Sequence, residues 1–356
     1  MKKTLSLLIL SLLLVGCFSD NADVDLEEDP IVVIKGESGT YSHVLPFESS
    51  NVRFSHTGVD YMEIGQGLVK ISKEYFPVSS HSIKEGEILN DFRSEFQPLI
   101  RYRESIDNPV GLNPSAETVV KVNATTEVSG PIFISDLFEV NFVSTKNTNK
   151  LTGAAFAIVL NKTITGDDSR QVTVDDKVLY DFATNIAGPK LESYLRKKPE
   201  LSGIPIVITL YVVDSGDHSI PGRYIGKAKF ENRQGQFEPV NHQWVLFPTN
   251  AGRSVDGIIN EQISSMKRSL TGFLPEDIGV VAYGEYYDDK LTNLQIKINI
   301  QTKTYTEILA LSHYAGELIM SFDTKSKVVV EIKSLNKTLA IVKRDANATK
   351  AEVIFL

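Results

Sequence analysis

The sequence predicts a mixed α+β fold in which two structurally similar α/β repeats pack together, behind a signal peptide and an acidic tether. Three observations carry this. Segments in which apolar and polar residues alternate are interleaved with longer ones whose apolar residues recur every three or four positions, the patterns of half-buried strands and amphipathic helices. The order strand, helix, strand, helix, strand, strand can be read twice along the chain. Finally, 356 residues, 42% of them apolar, are enough for one large or two medium hydrophobic cores.

Residues 1–16 have the build of a secretory signal, with Lys2 and Lys3 ahead of an uncharged, Leu-rich run. That run is too short to span a hydrocarbon core of ~30 Å as a stable helix. Its end, Leu14-Val15-Gly16-Cys17, resembles the lipobox of bacterial lipoproteins. The motif implies cleavage between Gly16 and Cys17 once the Cys17 thiol carries a diacylglyceryl group. Cys17 is the only cysteine, so the body has neither disulfides nor thiolate metal sites. The expected location is the extracellular face of the cell membrane, with the lipid as anchor, since no second run of eighteen apolar residues follows. An ordinary signal peptide with an incidental cysteine is the alternative.

Residues 17–35 form the expected flexible tether, with Asp20, Asp23, Asp25, Glu27, Glu28 and Asp29 among small residues. Like charges in such a run repel and keep the chain extended. A calcium site there would lack the Gly and terminal Glu of a helix-loop-helix calcium loop. The first repeat is expected over 36–235. It opens with the extended Val44-Leu45-Pro46 and a helix over 60–77, striped by Tyr61, Ile64, Leu68, Ile71 and Tyr75. A strand at 154–160 follows, then a helix through Val178, Phe182, Ile186, Leu191 and Leu195 that Pro189 should kink or restart. Strands at 206–213 and 224–230 complete the repeat.

The second repeat, 236–356, mirrors this order. Val245-Leu246-Phe247-Pro248 precedes a helix over 256–275 striped by Ile259, Ile263, Met266, Leu270 and Phe273. Leu294, Ile296, Ile298 and Ile300 then alternate with polar residues in a strand with one wet face. A helix through Tyr305, Ile308, Ser312, Ala315, Ile319 and Phe322 leads to strands at 328–332, 339–344 and 352–356. Residues 78–150, with Pro98, Pro109, Pro114 and Pro131, have no counterpart in this scheme and are expected as an insertion of functional loops.

The formal charge is −8, and loss of Lys2 and Lys3 makes it two units more negative. Such a balance opposes nucleic-acid binding, which needs clustered Lys and Arg to neutralise phosphates. Ser264 and Lys267 have the Ser-x-x-Lys spacing of penicillin-binding enzymes, but the Lys-Thr pairs beyond the signal, at 162, 303 and 337, lack the Gly that would follow. Asp288 and Asp289 beside Tyr286 and Tyr287 could serve glycoside chemistry or simply form a turn. His43, His56, His81, His218, His242 and His313 stand singly, without the helical i, i+4 pair of a zinc site. Gly65-Gln66-Gly67 lacks the third Gly and preceding strand of a dinucleotide loop. Asn123, Asn161, Asn336 and Asn347 fit the N-glycosylation pattern, which a bacterial lipobox makes coincidental. No cofactor, metal or catalytic residue is expected.

Several short segments, in order, carry a wider likeness. They include Val44-Leu45-Pro46-Phe47, Gly67-Leu68-Val69-Lys70-Ile71-Ser72-Lys73-Glu74, Glu85-Gly86 and Gly111-Leu112-Asn113-Pro114. Tyr194-Leu195-Arg196, Ile204-Pro205-Ile206, Pro221-Gly222, Phe247-Pro248 and Tyr286-Tyr287 continue it. With these the chain resembles the CamS family, the sex-pheromone-precursor lipoproteins of Gram-positive bacteria. The resemblance implies a two-repeat, non-enzymatic body, and a signal peptide trimmed to a pheromone sensed by cells carrying a conjugative plasmid. The equivalent peptide here would be Leu10, Ser11, Leu12, Leu13, Leu14, Val15 and Gly16. Expected partners are the membrane, the lipoprotein-processing enzymes and, in an alternative reading, a peptide or glycan ligand held in a groove between the repeats. An envelope hydrolase is the remaining alternative.

Overall fold

The computed structural model describes residues 41–44, 61–213, 220–232, 235–274, 278–301 and 303–356. Cys17, the signal peptide, the candidate peptide Leu10–Gly16, the tether, His56 and His218 lie outside the described residues. The fold is mixed α+β with two sheet-rich halves. In chain order the first half contains β1 (His43–Val44), α1 (Tyr61–Ser72), β2 (His81–Glu85) and a π-wound helix at Phe92–Arg101. Two hairpin strands, β3 (Val119–Lys121) and β4 (Glu127–Ser129), precede the long β5 (Ile134–Ser144) and β6 (Asn147–Asn161). A second small hairpin, β7 (Thr163–Thr165) with β8 (Gln171–Thr173), leads to α2 (Asp176–Phe182) and α3 (Gly188–Leu195). The half closes with β9 (Ile206–Val213), β10 (Arg223–Phe230) and β11 (Glu238–Pro239).

The second half follows with β12 (His242–Phe247), α4 (Asn250–Val255), α5 (Gly257–Phe273), β13 (Gly279–Tyr287) and β14 (Lys290–Ile300). It ends with α6 (Tyr305–Met320), β15 (Lys327–Ser334), β16 (Lys337–Arg344) and β17 (Glu352–Phe355). The first sheet runs β1-β2-β5-β6-β9-β10-β11 and the second β12 through β17 in order. From β2 onward, the first sheet pairs antiparallel, antiparallel, parallel, antiparallel, antiparallel. The second repeats that series from β12. In both, the parallel step is the one crossed by a helical connection, α2–α3 or α6, as parallel neighbours require.

This pattern places the duplication differently from the sequence expectation in two respects. Residues 78–150 are not an added insertion throughout, because β2 and β5 within them are strands of the main sheet and match β12 and β13. And α1 does not occupy the place of α5. It packs with Phe76 against Val140, Phe142, Ala155, Ala157, Val159, Val207, Tyr211 and Tyr224 on one face of the first sheet. The other face carries Phe156, Ile158, Leu160, Ile208 and Leu210 under the 92–101 helix and α2–α3. Burial on both faces is why β6 reads as a continuous apolar run over Ala154–Leu160, whereas β14 alternates.

The segment over 176–195 restarts at Pro189 as expected, through a π turn at Ala183–Ala187 in which the Gly188 N–H donates to the Ala183 carbonyl. Pro189 has no N–H to continue the ordinary ladder, and the extra residue of the π turn slips the apolar stripe. Ile186, expected inside, is therefore exposed.

Several motif residues hold the frame. Asn113 is fully buried, its Nδ2 donating to the carbonyls of Ile100 (3.1 Å) and Ile134 (3.0 Å) while its Oδ1 accepts from Ile134 N–H at 2.8 Å. Arg196 pairs with Glu192 at 2.8 Å and donates to the carbonyls of Leu201, Ile204 and Phe230. Gly67 lets α1 approach the Tyr224 ring, whose hydroxyl donates to the Ile64 carbonyl at 2.5 Å. A Cβ at Gly67 would stand 2.2 Å from Tyr224 Cε2. Gly67→Ala should therefore cost about 1–3 kcal/mol through overpacking, despite the better helix propensity of Ala. Chemical denaturation would refute this if the midpoint were unchanged or raised.

Candidate functional site: a polar cleft between the halves

The two halves meet where β12 runs beside β10, with the Val240 N–H donating to the Ile225 carbonyl at 3.1 Å just before β12 begins. In β12 the residues Val245 and Phe247 face the second core under α5 and α6, so the alternation of the strand turns His242 and Trp244 to the opposite face. On that face β13 contributes Glu285 and Tyr287, and β14 contributes Asn293 and Gln295. Across from them α1 presents Glu63, Gln66, Gly67 and Lys70. These residues enclose a cavity of about 100 Å³.

His242 is the anchor of the cleft. Its side chain is 4% exposed, and its Nδ1 accepts the Tyr224 N–H at 3.0 Å. A ring nitrogen that accepts cannot carry the proton, so the neutral imidazole bears its hydrogen on Nε2. Burial, with Lys70 and Arg223 nearby, lowers the His242 pKa to about 3. The imidazole is therefore an uncharged donor at neutral pH. It stacks on Tyr287, with centroids 4.2 Å apart and planes 13° from parallel, and Lys70 Nζ lies 3.7 Å from the centre of the same ring. Lys70 also reaches across the halves to Glu285 Oε1 at 3.2 Å. Burial raises the Tyr287 pKa, as do the carboxylates of Glu285 and Glu63, so its hydroxyl keeps its proton.

Among the described residues, four buried side-chain polar atoms without a hydrogen-bond partner line this one cavity: His242 Nε2, Trp244 Nε1, Tyr287 OH and Asn293 Oδ1. The nearest carboxylate to His242 Nε2, Glu285 Oε1, is 3.6 Å away, too long for a hydrogen bond. Each buried group left in this state costs about 1–3 kcal/mol. Such a concentration marks a place built to hydrogen-bond something besides the protein itself.

The other sequence candidates do not assemble. Ser264 Oγ donates to the Asn260 carbonyl at 2.8 Å, while Lys267 lies exposed on the wet face of α5. Asp288 and Asp289 form the two-residue turn between β13 and β14, both with positive φ, 47° and 60°. Asp288 N–H donates to the Asn241 carbonyl and Asp289 Oδ1 accepts from Asn241 Nδ2. The neighbouring Tyr286 points away from them, giving its hydroxyl to Asp256 Oδ2 at 3.0 Å. Gly65-Gln66-Gly67 is helical, not a loop after a strand. His81 sits against the Pro77 carbonyl and His313 is exposed on α6, and no cluster of three or more metal-ligating side chains occurs among the described residues. His242 was visible in the sequence as one lone histidine of six; its neighbours in space were not, since the cleft draws on four elements.

A family model described as CamS sex pheromone cAM373 precursor matches residues 48–350. Among solved structures, a sex pheromone precursor from Lactobacillus salivarius has a TM-score of 0.73 at 21% identity, over 83% of this chain and 87% of its own. The C-terminal domain of the staph-cAM373 sex pheromone precursor from Staphylococcus aureus has a TM-score of 0.67 at 20% identity, over 83% and 96%. No curated protein matches. No helix among the described residues is long and apolar enough to cross a membrane.

Proposed function

The chain belongs to the CamS family of sex pheromone precursors, and we propose that it works as a lipoprotein of that type, cut before Cys17 and held by lipid on the extracellular face of the cell membrane. The match over 48–350, behind a Leu14-Val15-Gly16-Cys17 lipobox, is the observation that supports this reading most. The released signal peptide is then the source of an apolar heptapeptide, Leu10 through Gly16. An uncharged peptide of this kind partitions out of water and suits a dry binding groove on a receptor. The body has no catalytic role in this proposal.

Mass spectrometry of the culture medium should find a fragment ending at Gly16, and Cys17→Ser should abolish both that fragment and incorporation of labelled fatty acid into the protein. Unchanged fatty-acid labelling of Cys17→Ser would sink the lipid-anchor proposal; absence of the fragment from cells making the wild-type protein would sink the pheromone reading. A second reading, that the body captures an envelope ligand between its halves, is favoured by the four unpartnered polar atoms of the cleft.

A further inference from the structure

We infer that the cleft between α1 and the β12–β14 face binds the acetamido group of an N-acetylated amino sugar. The inference deepens the ligand-capture reading and rests on it. The unpartnered atoms define what a ligand must offer. His242 Nε2–H and Trp244 Nε1–H are uncharged donors and need an acceptor oxygen. Asn293 Oδ1 is an acceptor and needs an N–H, while the Tyr287 hydroxyl can do either. A group carrying C=O and N–H on adjacent atoms satisfies both demands, and that group is an amide.

Charge argues the same way. An anion would meet the carboxylate of Glu285, whose side chain is 15% exposed, and a cation would meet Lys70, which already pairs with that carboxylate. Neutral donors with a pre-paired ion bridge suit a neutral ligand. Size selects which amide. About 100 Å³ is the room of roughly three water molecules at ~30 Å³ each. It takes one amide with its methyl group. An extended peptide, which advances ~3.3 Å per residue, would need a longer trough for its successive side chains. A terminal acetamido group enters alone and leaves its sugar ring at the mouth, where Gln66 and Lys70 of α1 are exposed.

Trp244 is the only tryptophan in the chain, so its fluorescence in the full-length, detergent-solubilised protein reports on this cavity directly. Titration with N-acetylglucosamine should give a saturable change in emission. Glucose, which lacks the acetamido group, should bind at least tenfold more weakly. Asn293→Leu and, separately, Tyr287→Phe should each raise the dissociation constant at least tenfold in protein whose melting temperature shows it folded. Equal responses to glucose and N-acetylglucosamine would overturn the inference, as would full affinity in both variants. Tighter binding of a blocked amino acid, N-acetylalanine methylamide, would overturn the sugar assignment and leave ligand capture standing. No saturable response to any of the three probes would end both.

Discussion

Glu139→Gln should destabilise the body by about 2–3 kcal/mol, although the two side chains are nearly isosteric. Glu139 is a buried carboxylate on β5. Its Oε1 accepts from the N–H groups of Glu87 and Ile88 and from Asn141 Nδ2, each at 2.8 Å, and its Oε2 accepts from Leu89 N–H at 3.0 Å. Burial pushes the carboxyl pKa up, and these four bonds oppose that by favouring the charged form. An amide must place an NH₂ in one of the two oxygen positions. At Oε1 it would face three donors and at Oε2 one, so it goes to the second and confronts the Leu89 N–H. Glu139→Ala should cost more, because all three backbone donors that the carboxylate holds would then lack it. Gly86 belongs to the same device, since a Cβ there would fall 2.6 Å from Glu139 Cβ. Urea denaturation measures the effect; a Gln variant with the wild-type midpoint would show that the carboxylate is not what holds the 86–89 loop.

The second large effect is a loss of stability in acid that runs through His242. Its folded pKa is about 3 against an ordinary 6.5. Below about 6.5 the unfolded chain takes up a proton that the folded chain refuses. The contribution of His242 is therefore complete above that pH, falls as the pH drops toward 3, and levels off below it. At 1.36 kcal/mol per unit the loss by pH ~4.5 is about 2–3 kcal/mol. The ring faces Lys70 on α1 and Arg223 on β10, which oppose its protonation, and Glu285 on β13, 3.6 Å from Nε2, which would welcome it. His242→Gln keeps an acceptor for the Tyr224 N–H and removes the titration. Melting temperatures of both proteins at neutral pH and near pH 4.5 should show a steeper drop in the wild type; parallel drops would place the acid sensitivity elsewhere.

The second half was the more legible in the sequence. Leu294, Ile296, Ile298 and Ile300 alternate because one face of β14 lies on the core and the other is open, and the stripe Ile259, Ile263, Met266, Leu270 is the buried side of α5. The first half hid its plan for the opposite reason. With both faces covered, β6 has no period to read, and β5 and β2 lay within a Pro-rich stretch that looked like loops. The helix at 92–101 carries no helical signature in the sequence, because Pro98 sits inside it and its π winding breaks the 3.6-residue period. The cleft was illegible for a geometric reason. Lys70, His242, Tyr287 and Asn293 are 223 positions apart at the extremes, and nothing local ties them.

The seating of α1 also rests on contacts that are far apart in the sequence. Its hydrogen bond from Tyr224 to the Ile64 carbonyl spans 160 positions, and its ion pair from Lys70 to Glu285 spans 215. Closing loops of that length precedes any reward from the contacts, and topologies rich in such contacts fold slowly. The second half, by contrast, pairs β12 through β17 strictly in chain order, with its one parallel step bridged by α6. Its strands can zip as neighbours, whereas the α1 bonds to Tyr224 and Glu285 wait for β10 and β13. A chain that emerges from its amino end first thus carries a helix that can rest on β5 and β6 early but completes its seat only when Tyr224 and Glu285 arrive, and until then part of the apolar side of α1 is open to other chains.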